Sequence, residues 1–248
     1  TSNTKEIGPV DAIIFGVKAN DLKEAAKACI PMLNEDTLVV PFLNGVEAAS
    51  RLLEVLPRKN VVNGTAKIST TIQEPGVVKQ TGSFAHFIFA ELDSKPSPRI
   101  QKLQNAFKNA GICAPKTNDI DRDLWSKFVL FSSMSGITAA ARCTIGDLRA
   151  SNELTAFCQS IMAETAMVGR RIGINLSDSL EASLWEVITS LPADMRTSMA
   201  IDLKKNRPLE VKWISGAVVR LAKAAGVEAP LNQAVDALLS IYEKGKNN

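Results

Sequence analysis

The sequence predicts an α/β domain followed by an all-helical domain. Two observations lead to this fold class. Short apolar runs of strand length alternate with helical segments up to about residue 118, and beyond that point strand-like runs give way to helical periodicity. We therefore assign residues 1–118 to an α/β domain with a parallel sheet and residues 119–248 to a helical domain.

The α/β domain begins with apolar runs at residues 11–17 and 37–42, which are typical of buried parallel strands. Helical periodicity lies between them at residues 18–33, and the turn signal Asn44-Gly45 follows the second run. The other elements predicted here are a helix at 46–56, strands at 61–62, 66–72, 76–81, 84–91 and 112–115, a turn at Glu74-Pro75-Gly76 and a helix at 98–110.

The helical domain is predicted from the spacing of its apolar residues and from Pro230, since proline is favoured in the first turn of a helix. No internal repeat or low-complexity linker separates it from the first domain. Its predicted helices span residues 121–141, 151–173, 178–190, 210–226 and 230–244.

Composition excludes several classes of function. The chain has 46% hydrophobic and 22% charged residues and a net charge of +3, which is too mild for a nucleic-acid-binding face but fits a small anionic ligand. No apolar run approaches the ~20 residues of a membrane helix, and no secretory signal opens the sequence. We therefore expect a cytoplasmic protein without nucleic-acid or membrane partners.

The cysteines and the single histidine argue against a metal site. Cys29, Cys113, Cys143 and Cys158 are widely spaced among apolar neighbours, which predicts buried free thiols in a reducing compartment. His86 lies in an alternating, strand-like run, so we interpret it as a structural strand residue. A multi-histidine metal site is thereby excluded, and no zinc site is expected.

The dinucleotide-binding loop G-x-G-x-x-G is absent from these 248 residues. The sequence begins at Thr1 with a polar segment that leads directly into the first strand run. Either the fold has no such loop, or the first βαβ unit is missing from the sequence. We favour the second explanation and expect the chain to be a fragment.

Two polar residues follow strand runs of the α/β domain, where ligands of open parallel sheets bind. Lys18 can hold a phosphate or carboxylate, and Asn44 can both donate and accept hydrogen bonds. On spacing alone, Lys18 is equally well explained as a solvated lysine at a helix start, and Asn44 as half of an Asn-Gly turn.

Three residues of the helical domain supply an amine, a carboxylate and a hydroxyl. Lys127 lies early in the apolar helix 121–141, where desolvation would lower its pKa and suit it to donate a proton to a carbonyl oxygen. Glu210 could pair with that lysine, and Ser198 could bind a substrate carboxylate. The alternatives are a lysine that snorkels to solvent, a glutamate that interacts with a helix dipole, and a plain N-cap serine.

Taken together, five segments resemble the ketopantoate reductases, which are the 2-dehydropantoate 2-reductases. The segments keep the family's order and spacing and comprise Val17-Lys18-Ala19, Phe42-Leu43-Asn44-Gly45-Val46, Trp125-x-Lys127, Ser198-Met199-x-x-Asp202 and Arg207-Pro208-x-Glu210 followed by Gly216. The resemblance covers essentially the whole sequence. It implies a Rossmann-type domain followed by a helical domain, and NADPH-dependent reduction of 2-dehydropantoate to pantoate in pantothenate biosynthesis.

The resemblance also implies a role for each candidate residue. Lys127 matches the general acid, and Glu210 matches the acidic residue that hydrogen-bonds substrate and lysine. Ser198 matches the serine at the substrate carboxylate. Lys18 and Asn44 match residues near the cofactor NADPH, and Asn44 also helps to place lysine and substrate. The implied partners are a small anionic 2-oxo acid and, as one compatible assembly, a second copy of the chain in a homodimer.

The sequence departs from the family at two positions. The family commonly has asparagines four and eight residues after the catalytic lysine, where this chain has Phe131 and Ser135. Two alternatives therefore stay open. One is a reductase of another small 2-oxo acid, and the other is a non-catalytic binding or assembly module that keeps the helical domain without a nucleotide site.

Overall fold

The computed structural model describes Thr1 and residues 3–245, with side chains for all of these except residues 81–84. The chain divides into two compact units, Thr1–Leu124 and Trp125–Asn248. Unit 1 contains a parallel strand pair, a long hairpin and several helices, and the regular elements in the described residues of unit 2 are all helices. The predicted fold class, an α/β part with a parallel sheet followed by a helical part, is confirmed.

The elements have the following bounds. The strands are β1 (Ala12–Phe15), β2 (Leu38–Pro41), β3 (Asn63–Glu74) and β4 (Val77–Ala90). The α-helices are α1 (Leu22–Cys29), α2 (Ala48–Leu52), α3 (Pro98–Asn109), α4 (Ile120–Ala140), α5 (Ile145–Ala150), α6 (Asn152–Arg171), α7 (Leu180–Ser190), α8 (Ser198–Lys204), α9 (Ser215–Ala224) and α10 (Pro230–Ser240). Short 3-10 helices span Thr4–Glu6, Ala19–Asp21, Ile30–Met32 and Val211–Trp213.

The parallel sheet of unit 1 is formed by β1 and β2, which pair in register from Ala12 with Leu38 onward. A single parallel bridge between Val39 and Val61 extends the sheet beyond β2. All of β2 is buried, because it has neighbours on both sides, whereas Ile14 of β1 is 51% exposed. The two predicted parallel strands are therefore confirmed, but only the second is buried along its whole length.

A long antiparallel hairpin follows, formed by β3 and β4 around a turn that contains Gly76 with φ +85°. The predicted turn is confirmed, because glycine tolerates this left-handed conformation. The prediction of two separate strands at 76–81 and 84–91 is wrong, since β4 runs through both. The pairing with β3 shifts register between Gln80 and Ala85 of β4, which is where the sequence predicted a break between two strands.

The predicted strand at 112–115 is reduced to one parallel bridge between His86 and Cys113. His86 itself lies in β4, opposite Lys67. Cys113 is exposed, which corrects the prediction that all four cysteines are buried, because a single bridge leaves this segment at the surface. The three buried free thiols are Cys29, Cys143 and Cys158. Burial raises the pKa of the Cys158 thiol to about 11, so this thiol is kept protonated.

Two helices of unit 2 were not predicted, and one predicted helix is broken. Helices α5 and α8 have only 6 and 7 residues, too few for a periodic apolar pattern. The predicted helix 210–226 is instead a 3-10 helix, Val211–Trp213, followed by α9. The break falls at Ile214, where φ −108° and ψ −90° leave the helical region.

Helix α4 is enclosed by its neighbours in unit 2, and every residue from 132 to 139 is buried. The hydroxyl of Ser132 donates to Thr165 of α6 at 3.0 Å, and the side-chain amide of Asn232 in α10 donates to the same oxygen at 3.2 Å. The carboxylate of Glu164 accepts the backbone N–H of Asn232 at 2.8 Å and so satisfies a donor at the start of α10. These polar contacts fix α4, α6 and α10 in one register.

Close approach of α4 to α10 depends on Gly136, since a methyl group at this position would overlap Cγ1 of Val235. We predict that Gly136→Ala lowers the free energy of unfolding by about 1–3 kcal/mol, as inserted methyl groups do in packed cores. In the Val235→Ala background the same substitution should lower the free energy of unfolding much less, because the overlapping methyl group of the valine is gone. Urea denaturation of the four variants measures this coupling, and an equal loss in both backgrounds would contradict it.

Candidate active site

The sheet of unit 1 places Lys18 and Asn44 at one edge. Lys18 follows the end of β1 and Asn44 follows the end of β2. Because these strands are parallel, both residues lie beyond carboxyl ends, where open α/β sheets bind ligands. Lys18 is exposed, and Asn44 is half-buried before Gly45, whose φ of +88° confirms the predicted turn. An ammonium and an amide at this edge suit the polar groups of a nucleotide cofactor.

Aromatic packing holds the turn of α4 that carries Lys127, at the beginning of unit 2. Trp125 and Phe128 are 4% and 2% exposed and meet edge to face, with ring centroids 5.3 Å apart. Gly169 of α6 allows this, because a Cβ there would come within 2.8 Å of the Trp125 ring. Lys127 is thereby carried on a rigid helix turn, with its side chain half-buried.

The ammonium of Lys127 lies over the ring of Phe131, with Nζ 4.9 Å from the ring centroid. The two residues are four positions apart on α4 and therefore share one face of the helix. The negative face of the ring attracts the ammonium, so this contact holds the amine over the ring. Phe131 thus both orients the amine and makes the adjoining surface apolar.

Glu210 stands immediately before the 3-10 helix Val211–Trp213, and its side chain is half-buried. Its backbone carbonyl accepts the N–H groups of Trp213 and Ile214 at 2.9 and 3.1 Å, but its carboxylate makes no capping hydrogen bond. Glu210 is thus the N-cap residue of this short helix, the place that the alternative of a glutamate interacting with a helix dipole assigns to it. Leu209 is 1% exposed, and its N–H donates to the Glu243 carbonyl at 3.0 Å, which anchors the segment from the other side.

The 3-10 helix after Glu210 is held by charged contacts to α9 and α10. The ammonium of Lys212 contacts the carboxylate of Asp236 at 2.8 Å. Arg220 donates to the Lys212 carbonyl at 2.9 Å, and its guanidinium lies 5.8 Å from the Trp213 ring centroid. Gly216 leaves room for Asp236, since a Cβ there would be 3.1 Å from its Oδ1. The glycine of the sequence pattern thus helps to fix the segment that carries Glu210.

Ser198 is the first residue of α8 and is exposed. The N-cap of α8 is Thr197, whose side-chain oxygen accepts the N–H of Ala200 at 3.3 Å. The alternative that Ser198 is a plain N-cap is therefore wrong, because the preceding residue fills that position. The Ser198 hydroxyl is not used to cap its own helix.

Of the predicted site residues, Lys127, Ser198 and Glu210 lie in unit 2, and Lys18 and Asn44 lie in unit 1. The sequence does not single out Thr138, which contacts Thr197 with hydroxyl oxygens 2.8 Å apart. Its position eleven residues after Lys127 was a usable signal, because that spacing returns to the same helix face.

Across residues 1 and 3–245, no cluster of three or more His, Cys, Asp or Glu side chains could hold a metal ion. No helix in that part of the chain is long and apolar enough to cross a membrane.

Two family profiles match this chain. Residues 1–94 match the family described as "Ketopantoate reductase PanE/ApbA", and residues 119–243 match "Ketopantoate reductase PanE/ApbA C terminal". The chain belongs to the ketopantoate reductase family. The resemblance inferred from the five sequence segments is thereby confirmed, and with it the assignment to an oxidoreductase family.

Individual ketopantoate reductase relatives are similar over nearly the whole chain. The 2-dehydropantoate 2-reductase of Mycobacterium tuberculosis is 27% identical over 99% of this chain and 80% of its own length. A PanE/ApbA family ketopantoate reductase from Ralstonia eutropha JMP134 has 25% identity and a TM-score of 0.88, covering 98% of this chain and 79% of its own. D-mandelate dehydrogenase, solved with NADH and anilino(oxo)acetate, has 24% identity and a TM-score of 0.86, covering 95% and 77%. D-mandelate dehydrogenase is thus similar to this chain in its fold.

Proposed function

We propose that the complete gene product reduces 2-dehydropantoate to pantoate with NADPH. The observation that carries the proposal is that one compact unit holds an amine, a hydroxyl and a carboxylate in the family's order, namely Lys127, Ser198 and Glu210. Membership of the ketopantoate reductase family supports the reaction class, and the relative from Mycobacterium tuberculosis supports the substrate.

Reduction of a 2-oxo acid adds a hydride to the carbonyl carbon and a proton to its oxygen. A bound nicotinamide cofactor supplies the hydride. Lys127 donates the proton from Nζ as the carbonyl oxygen gains charge, so that no free alkoxide forms. The contact with Phe131 holds the amine in place before this step.

The other residues bind and orient. Ser198 donates its hydroxyl to the substrate carboxylate, a role that its exposed place at the start of α8 permits. Glu210 accepts a hydrogen bond from the substrate or from the Lys127 ammonium. It thereby orients the amine that donates the proton. Lys18 and Asn44 hold polar groups of the cofactor at the carboxyl edge of the sheet.

Steady-state kinetics on the complete gene product test this function. We expect oxidation of NADPH that depends on 2-dehydropantoate, with kcat/KM for NADPH above that for NADH. The panel should include trimethylpyruvate, which has the same carbon skeleton without the 4-hydroxyl, and benzoylformate as an aromatic 2-oxo acid. Absence of turnover with every 2-oxo acid would favour the alternative of a non-catalytic module.

A second candidate, reduction of a less polar 2-oxo acid, is favoured by Phe131. Its ring takes a position on the Lys127 face where the family commonly has an amide, and Ser135 further along is 4% exposed. An apolar wall beside the catalytic amine leaves the 4-hydroxyl of 2-dehydropantoate without a partner there, which penalises the hydroxylated substrate. The ratio of kcat/KM for 2-dehydropantoate to that for trimethylpyruvate distinguishes the two candidates.

We predict that Phe131→Asn raises this ratio by roughly 3–10-fold, about the free energy of one neutral hydrogen bond. Phe131→Leu is the matched control, because it removes the ring without adding an amide, and it should leave the ratio within about 2-fold of the parent. An unchanged ratio in Phe131→Asn would show that position 131 does not select the substrate.

A further inference from the structure

We propose that Thr138 is a positioning residue for Ser198, because it fixes the first turn of α8 against α4 through Thr197. The inference rests on the proposed role of Ser198 at the substrate carboxylate. Thr138 and Thr197 are 0% and 3% exposed. Their hydroxyl oxygens are 2.8 Å apart, although 59 positions separate them in the sequence.

Both hydroxyls also contact the backbone of their own helices. The Thr138 hydroxyl reaches the carbonyl groups of Met134 and Ser135, at 2.8 and 3.4 Å. The Thr197 oxygen accepts the backbone N–H of Ala200 at 3.3 Å. Either threonine can be the donor in the contact between them. With either donor, a continuous set of hydrogen-bonding contacts links the Ala200 N–H, both hydroxyls and the Met134 carbonyl.

These contacts connect α4, which carries the proposed acid, to α8, which carries the serine proposed to bind the substrate carboxylate. Thr138 lies three helical turns after Lys127, and eleven steps of ~100° return it to the same side of α4, offset by about 20°. Ser198 is the residue directly after Thr197 and begins α8. One atom, Oγ1 of Thr197, therefore serves both to cap α8 and to dock it on the Lys127 face of α4.

The loop that leads to Thr197 is anchored independently of this contact. The carbonyl groups of Ala193 and Met195 accept the N–H groups of Gly146 and Ile145 at 2.8 and 2.9 Å, which ties the loop to the first turn of α5. The path of the chain up to residue 195 is thereby set. The next turn, which carries Ser198, is held by the contact between Thr197 and Thr138 and by the burial of Met199 and Ala200.

Removing the Thr138 hydroxyl breaks this set of hydrogen-bonding contacts in the middle. With valine at position 138, the buried Thr197 hydroxyl would lose the Thr138 oxygen as its hydrogen-bond partner, and proteins avoid buried hydroxyls that lack a partner. Rotation of Thr197 toward another acceptor would withdraw its oxygen from the Ala200 N–H and loosen the cap. The first turn of α8 would shift, and the Ser198 hydroxyl with it.

The test compares Thr138→Val, the rescue variant Thr138→Ser and the matched control Thr165→Val in the complete gene product. Thr165 is another buried threonine of unit 2, and its hydroxyl accepts hydrogen bonds from Ser132 of α4 and Asn232 of α10. The readouts are KM and kcat for whichever of 2-dehydropantoate and trimethylpyruvate gives the higher kcat/KM, together with the melting temperature. Thr138→Ala replaces Thr138→Val in the comparison should the valine variant not fold.

We expect Thr138→Val to raise KM by roughly 10-fold with little change in kcat, which corresponds to the loss of about one hydrogen bond. Thr138→Ser should restore KM. Thr165→Val should lower the melting temperature by roughly 2–8 °C, as a lost buried hydrogen bond does, without changing KM.

A double-mutant cycle with Ser198→Ala separates this inference from the proposed function. In the Ser198→Ala background, Thr138→Val should cause no further rise in KM. A further rise, or an unchanged KM in the single variant Thr138→Val, would overturn the positioning role while leaving Ser198 in place. An unchanged KM in Ser198→Ala alone would overturn the proposed carboxylate site itself and, with it, the positioning role.

Discussion

Replacing Lys127 with alanine is expected to lower kcat by roughly 10²–10⁴-fold, the usual contribution of a positioned general acid. The physical reason is that only Lys127, among the proposed residues, would give a proton to the oxygen whose charge changes during reduction. Alanine is the best helix former, so α4 should persist and the variant should stay folded. Stopped-flow or steady-state measurement of NADPH oxidation with the complete gene product gives kcat directly.

A control for the Lys127 experiment is available in the same unit. Lys204 is an exposed lysine in the last turn of α8, and Lys204→Ala removes the same charge away from the proposed site. Its kcat should stay within about 2-fold of the parent, as for surface substitutions in general. Near-parental kcat in Lys127→Ala would mean that the lysine is structural and that the proton comes from elsewhere.

The second large effect is expected from Ser198→Ala, which should raise KM by roughly 10–100-fold with little change in kcat. A hydrogen bond to a charged group contributes about 1.5–3 kcal/mol. The carboxylate keeps its charge throughout the reaction, so the ground state and the transition state lose this contact equally. Ser183→Ala, at an exposed serine of α7, is the matched control. A fall in kcat at constant KM would argue instead that Ser198 acts on the reacting oxygen.

The sequence predicts the fold class because each long element carries a pattern of its own. The apolar runs around β1 and β2, the turn at Gly76 and the long helices α4 and α6 are all local signals. The break at Ile214 leaves no such signal, since apolar periodicity continues on both sides of it. The capping box of Thr144 and Asp147 at α5 is a local signal that could have revealed one of the missed helices.

The candidate site is predicted from the sequence as a set of residue types, but its supports are not. Lys127, Ser198 and Glu210 stand in recognisable segments. The contact between Thr138 and Thr197 joins residues 59 positions apart, and no local pattern encodes such a pairing. Likewise, only the structure shows that Thr197, and not Ser198, caps α8. Tertiary contacts of this kind decide which of two neighbouring hydroxyls is used up by the fold and which can bind a ligand.

The most direct test of the central claim, that the protein passes a hydride from NADPH to a 2-oxo carbon, is isotope transfer. The complete gene product is incubated with 2-dehydropantoate and with NADPH that carries deuterium at both C4 positions of the nicotinamide, and the pantoate is analysed by mass spectrometry. We predict pantoate that carries one deuterium at C2, formed by the parent protein and far more slowly by Lys127→Ala. Trimethylpyruvate, assayed in parallel, should give its labelled 2-hydroxy acid if the less polar substrate is preferred. No labelled 2-hydroxy acid from either substrate would contradict the account.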